Sequence, residues 1–126
     1  MFKDNKVFTS FSSNDIAGAK KFYSEVLGFS TADRMGGLEL ELSGGNQAFI
    51  YPKPDHAPAT YTVLNIIVED IGKSAYDLSS KGIKFEHYDN EYMKTDEKGI
   101  ARMENGPSMA WFKDPAGNIL SIIQTS

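Results

Sequence analysis

Apolar and polar positions along the chain fall into two successive copies of one pattern. Val7-Phe8-Thr9-Ser10-Phe11 is followed by the polar cluster Ser13-Asn14-Asp15, and then by Ile16, Ala19, Phe22, Tyr23, Val26 and Leu27. Recurrence at three and four residues puts those last six side chains on one face of a helix. The polar cluster offers N-caps, and Gly28 suits the left-handed position that ends a helix. The second copy runs Val63-Leu64-Asn65-Ile66-Ile67-Val68, then Asp70-Ile71, then Ala75 and Leu78, and stops at Gly82. Each copy is a strand, a polar turn, a helix closed by glycine, and further strands.

Those further strands follow from alternation and turn residues. Leu38-Glu39-Leu40-Glu41-Leu42 alternates strictly between Gly36-Gly37 and Gly44-Gly45-Asn46, and Ala48 to Tyr51 makes the next strand. Pro52, Pro54 and Pro58 stiffen a connector that can be neither helix nor central strand. In the second half Lys84 to Tyr88 reads as a strand and Glu91 to Asn105 as a long polar loop. Ser108–Lys113 and Ile119–Gln124 then pair across the turn Asp114-Pro115-Ala116-Gly117-Asn118. The expected class is α+β: a single domain over 1–126 built of two tandem βαβββ modules, about 7–51 and 61–124, joined by a linker at 52–60. The expected mixed sheets are cupped, with each helix on the convex side and the concave faces left to form a pocket.

Composition narrows the function. The net charge is -4, and the 13 lysines and arginines are scattered along the chain. A nucleic-acid partner would call for a clustered basic face, so none is expected. With no cysteine, thiolate metal sites and cysteine nucleophiles are excluded. The first residues lack the apolar core of a signal peptide, and no apolar run approaches the roughly 18–20 residues of a membrane helix. A cytoplasmic protein without a membrane partner is expected.

Three segments in order resemble the vicinal oxygen chelate superfamily, which groups glyoxalases, bleomycin-resistance proteins and extradiol dioxygenases. They are Asp15-Ile16 with Ala19, Phe22-Tyr23 and Val26-Leu27-Gly28-Phe29; Val68-Glu69-Asp70-Ile71 with Leu78 and Lys81-Gly82-Ile83; and Phe112-Lys113-Asp114-Pro115-Ala116-Gly117-Asn118. The resemblance implies a metal held inside the cupped sheets by His and Glu side chains. It also implies where those ligands stand: seven residues before each helix-opening Asp, on the fourth strand, and three residues after the hairpin Asn. Here those positions hold Phe8, Val63, Ile50 and Ser121. None is a His, carboxylate or thiolate, so neither a metal nor another cofactor is expected. His56, in the Pro-rich connector, and His87 match no ligand motif. The resemblance therefore points to the binding branch: a metal-independent protein that sequesters an amphipathic or planar small molecule. The alternative is a glyoxalase-like lyase or isomerase working through a carboxylate or an unconventionally bound metal. A homodimer is expected, because family members commonly close the open side with a second chain.

Strand parity sorts the candidate site. With Phe8 pointing into the cup, Ser10 and Ser12 do so too, while Val7, Thr9 and Phe11 pack on the helices. Val63, Asn65 and Ile67 join them, with Ile119, Ser121 and Ile123, and Ala48 and Ile50 from the first half. The resemblance aims Met109 and Trp111 the same way. Trp111 offers a stacking surface and one N–H donor, or else fills space structurally. Asn65 either contacts ligand or braces backbone. Glu39 and Glu41, opposite the leucine face, are solvated or supply a general base. The serines lack a His–acid pair that would make one a nucleophile. The Met93–Glu104 stretch is either a lid or a mobile loop.

Overall fold

The two copies of the sequence pattern become two copies of one mixed sheet. The computed structural model describes residues 1–125 and separates into two compact units, the first Met1–Ala57 and the second beginning at Pro58. The first contains β1 (Thr9–Ser13), α1 (Ile16–Lys21), β2 (Ser30–Arg34), β3 (Gly37–Glu41) and β4 (Gln47–Pro52), in sheet order β1-β4-β3-β2. The second contains β5 (Thr62–Ile67), α2 (Ile71–Ser80), β6 (Ile100–Arg102), β7 (Ser108–Lys113) and β8 (Ile119–Gln124), in the matching order β5-β8-β7-β6. In each sheet the first strand runs parallel to the last, and the remaining pairs are antiparallel. This is the α+β, two-module architecture read from the repeat.

Both helices start on the aspartates that the pattern singles out. Asp15 Oδ1 accepts from Gly18 N at 2.9 Å, and Asp70 Oδ1 accepts from Lys73 N at 3.1 Å. Each satisfies an orphan backbone donor of a first turn. After Lys21 the first helix widens into a π turn over Phe22–Val26, in which Leu27 N donates to Phe22 O at 3.0 Å. The extra residue lets neighbours Phe22 and Tyr23 both turn to the sheet; their rings meet edge to face at 5.3 Å, and Tyr23 also meets Phe11. Gly28 and Gly82 close the two helices with positive φ.

Pairing register identifies the two faces of each sheet. Phe11, Leu38, Leu40, Ala48 and Ile50 share the face against α1 and are buried there. In the second unit Leu64, Ile100, Ala110, Phe112, Leu120 and Ile122 form the buried helix face. At roughly 25 cal/mol per Å² of apolar area removed from water, these layers are the main stabilising term.

Two expectations about strands are corrected. The first strand begins at Thr9, because its pairing with β4 starts at Thr9↔Ala48; Val7 and Phe8 lie outside the ladder and are exposed. Lys84 to Tyr88 contributes only an isolated bridge, Phe85↔Phe112, and the fourth strand comes from within the polar loop at Ile100–Arg102. The edge of β7 takes one partner per position. Buried Ile100 and Ala101 claim Ala110 and Met109, which leaves only Trp111 and Phe112 for the chain at 85–86.

The hairpin between β7 and β8 is built around Asp114. Its Oδ1 accepts from Ala116 N and Asn118 N, both at 2.9 Å, and its Oδ2 accepts from Asn118 Nδ2 at 3.0 Å. Gly117 holds φ +86°, a conformation that favours glycine, and a Cβ there would crowd Pro58 Cγ at 3.2 Å. Among the described residues, no helix is long and apolar enough to cross a membrane.

Candidate functional site

In the first unit the face turned away from α1 carries Ser10 and Ser12 on β1, Glu39 on β3, and Phe49 and Tyr51 on β4. Ile50 and Ala48 are not on it. Ile50 pairs with Phe11 and Leu38 on the helix side and is fully buried, so the parity assigned to this strand is off by one. A one-residue shift exchanges every side chain between faces, and the Pro-rich connector left that register unanchored in the sequence. Phe8, 66% exposed and ahead of β1, is not held over the sheet by pairing. Ser10 is exposed beside Phe49, whereas Ser12 Oγ lies 2.6 Å from His56 Nδ1.

Glu39 departs from the ordinary behaviour of a carboxylate on a sheet surface, since it is only 8% exposed. Arg34 Nε and Nη2 both donate to its Oε2, at 3.1 and 2.9 Å. The arginine side chain is itself more than half exposed, so this is a solvent-screened pair. Glu41 is exposed.

In the second unit the parity holds on the strands that the hairpin anchors. Asn65, Ser121 and Trp111 stand side by side across β5, β8 and β7, with Met109 and Ile123 as the next pair. Ser121 is fully buried, and its Oγ donates to Asn65 Oδ1 at 2.5 Å. Each of the two groups partly satisfies the other. Val63 sits at a register break between Thr62 and Leu64, so it is the unpaired residue of a bulge.

Trp111 is 5% exposed and forms part of the wall of a cavity of about 280 Å³. Tyr88 stands edge to face against it, with ring centroids 5.5 Å apart and planes at 80°. Tyr61, Tyr92, Met93 and Ile119 add apolar surface, and Asn90, Thr60 and Thr62 add neutral hydrogen-bonding groups. Among the described residues, no charged side chain lines it. Burial raises the Tyr88 phenol above its usual range; the Glu86 carboxylate adds to that shift and the Lys113 ammonium opposes it. Those two charges pair with each other at 3.3 Å.

The wall carrying Tyr88 and Tyr92 is a tight hairpin within the segment read as a strand and then a loop. Thr95 N donates to Tyr88 O at 2.9 Å, Asn90 N to Met93 O at 2.9 Å, and Tyr88 N to Thr95 Oγ1 at 2.9 Å. At its tip, Asn90 Oδ1 accepts from Tyr92 N. Glu86 N, donating to Trp111 O at 2.8 Å, ties the hairpin's base to β7. Tyr61, Tyr92 and Met93 lie off the strands on which parity was applied, and Tyr88, at the end of the segment read as a strand, was not assigned to the site. The available signal was compositional: three tyrosines and a methionine flanking otherwise polar segments. A larger groove of about 580 Å³ runs along α2 past Tyr76 and Phe85, and none of the predicted site residues lines it.

These positions do not fit the metal of the vicinal oxygen chelate pattern. Phe8 is outside the strand, Ile50 faces the helix, Val63 is in a bulge, and the Ser121 hydroxyl is committed to Asn65. Among the described residues, no three His, Cys, Asp or Glu side chains converge to hold an ion.

The sequence profile described as Glyoxalase/Bleomycin resistance protein/Dioxygenase superfamily matches residues 8–122. The chain belongs to that superfamily. Comparison with curated proteins finds no match. Among solved structures, the fold resembles TnmS3, an antibiotic binding protein from Streptomyces sp. CB03234, with a TM-score of 0.64 at 20% identity over 98% of each chain. It resembles lactoylglutathione lyase from Agrobacterium tumefaciens with a TM-score of 0.68 at 18% identity, over 95% of this chain and 93% of the other. A glyoxalase/bleomycin resistance protein/dioxygenase from Alicyclobacillus acidocaldarius gives 0.65 at 18% identity, over 97% and 92%. At these identities the likeness is one of fold, and the superfamily's range of chemistries has to be narrowed from the site.

Proposed function

We propose that this superfamily member is a metal-independent binding protein that takes up a small amphipathic or planar molecule against Trp111. The observation that carries the reading is the neutral aromatic cavity formed by Trp111, Tyr88, Tyr61 and Tyr92. An apolar, aromatic lining with a few polar groups is the usual composition of a ligand pocket. The unsuitable donor set favours binding over metal-assisted turnover. TnmS3 is an antibiotic binding protein on the same fold, so the architecture accommodates a binder. Turnover through a carboxylate has less support, because Glu41 is exposed and Glu39 is engaged by Arg34.

Two measurements test this. Elemental analysis after chelator-free purification should find no stoichiometric transition metal; one zinc, nickel, iron or manganese per chain overturns metal independence. The chain has one tryptophan, so its emission reports the proposed pocket alone. A panel of planar and amphipathic compounds should contain members that shift that emission saturably and are recovered unchanged. Binding confirmed by calorimetry that leaves both the emission and a Trp111→Phe variant unaffected would remove Trp111 from the site.

A further inference from the structure

The pocket's walls say more than that it is apolar. Tyr88 and Trp111 meet at 80° and form a corner, so a flat ring can stack on one of them but cannot be sandwiched between both. Tyr61 and Tyr92 line the same cavity and are 69% and 85% exposed, large aromatic surfaces left to water at its rim. Four electron-rich rings line one cavity; a π face turned to a ligand attracts a cation and offers nothing comparable to an anion. An anion would also find no Lys or Arg in the lining, and the nearby Lys113 is already paired with Glu86. Burying a carboxylate or phosphate there would leave it unpaired, at high desolvation cost. The chain's net charge of -4 biases the surroundings the same way.

We propose that the pocket selects an organic cation, a quaternary or alkylated ammonium group enclosed by Tyr61, Tyr88, Tyr92 and Trp111. The inference rests on the binding function proposed above and names the chemical class of its ligand. A cavity of about 280 Å³ accommodates a trimethylammonium head with a short tail. Asn90, Thr60 and Thr62 supply hydrogen bonds to a polar group on that tail.

The test uses the intact chain and two probes of the same shape, choline and 3,3-dimethylbutan-1-ol, which differ in nitrogen versus carbon and hence in charge. Titrations followed by Trp111 emission, at constant ionic strength, should show saturable choline binding about tenfold or more tighter than the alcohol. Tyr61→Leu and Tyr92→Leu, both at exposed positions that leave the fold intact, should each weaken choline several-fold and the alcohol hardly at all. Equal affinity for the two probes would overturn the cation assignment while leaving the binding function standing. Tighter choline binding that neither tyrosine variant affects would overturn the aromatic enclosure. No binding of choline up to high millimolar concentration would also overturn the proposal, and the planar and amphipathic panel would then decide separately whether the pocket binds anything.

Discussion

Replacing Trp111 separates packing from recognition. The side chain is 5% exposed, so nearly all of the roughly 150–250 Å² that such a ring buries is withdrawn from water. At about 25 cal/mol per Å² this gives about 4–6 kcal/mol, an upper value because the unfolded chain already shields part of that surface. Trp→Ala replacements in packed sites cost about 3–5 kcal/mol. Here the void would merge with an existing cavity that water can enter, so the lower end applies, about 3 kcal/mol for Trp111→Ala. Trp111→Phe keeps a ring for Tyr88 to meet edge to face and should cost about 1 kcal/mol. Urea denaturation followed by far-ultraviolet circular dichroism measures both without depending on the lost fluorophore. Ligand affinity of the Trp111→Phe variant, measured calorimetrically below its unfolding transition, should fall about tenfold. A loss under about 1 kcal/mol for Trp111→Ala would show that the indole is not part of the packed floor. Unchanged affinity in the Phe variant would show that the ligand sits elsewhere.

Three further outcomes are expected. Asp114→Ala should lower stability by about 3 kcal/mol, since it removes the hydrogen bonds that Ala116 N, Asn118 N and Asn118 Nδ2 donate to a buried carboxylate. Asp114→Asn, which keeps an Oδ1 acceptor for the two backbone donors, should cost less, and equal losses for the two variants in urea melts would refute the role given to the Oδ1 hydrogen bonds. Tyr88 should contribute to an alkaline loss of stability. Its folded pKa lies above the ordinary 10.0, chiefly through burial. The folded state therefore holds the phenolic proton more tightly than the unfolded state, so the contribution is complete below about pH 10 and disappears as the pH rises through the folded pKa. Melting wild type and Tyr88→Phe across this range should show a shallower alkaline decline in the variant; parallel declines would count against it. We propose in addition that the chain forms a homodimer that covers exposed Val7 and Phe8. Sedimentation equilibrium should give twice the 13.9 kDa chain mass, and a monomer at micromolar concentration would refute that.

Rules that act within a few residues determine much of this protein. Helix spacing, an aspartate before each helix and a glycine after it specify the two α-elements, because caps and periodicity need no distant partner. The Asp114–Asn118 motif fixes its hairpin for the same reason: one carboxylate serves donors two and four residues away. That turn anchors β7 and β8, and their pairing puts Ser121, with Asn65 beside it, on the face to which the family resemblance assigned Met109 and Trp111. Where no local device pins the register, the sequence is silent. Ile50 went to the helix face because its pairing with Phe11 and Leu38 is decided by strands distant in the chain. Phe8 fell outside β1 because the ladder with β4 starts one residue later, at Thr9↔Ala48. The ion pair of Glu39 with Arg34 depends on the β2–β3 register, in which Arg34 pairs with Gly37 and Ala32 with Glu39. The pocket's second wall was furthest from view. Tyr88 and Tyr92 reach Trp111 through a short hairpin tied to the edge of β7, and competition with Ile100–Arg102 for that edge is a property of the folded sheet alone.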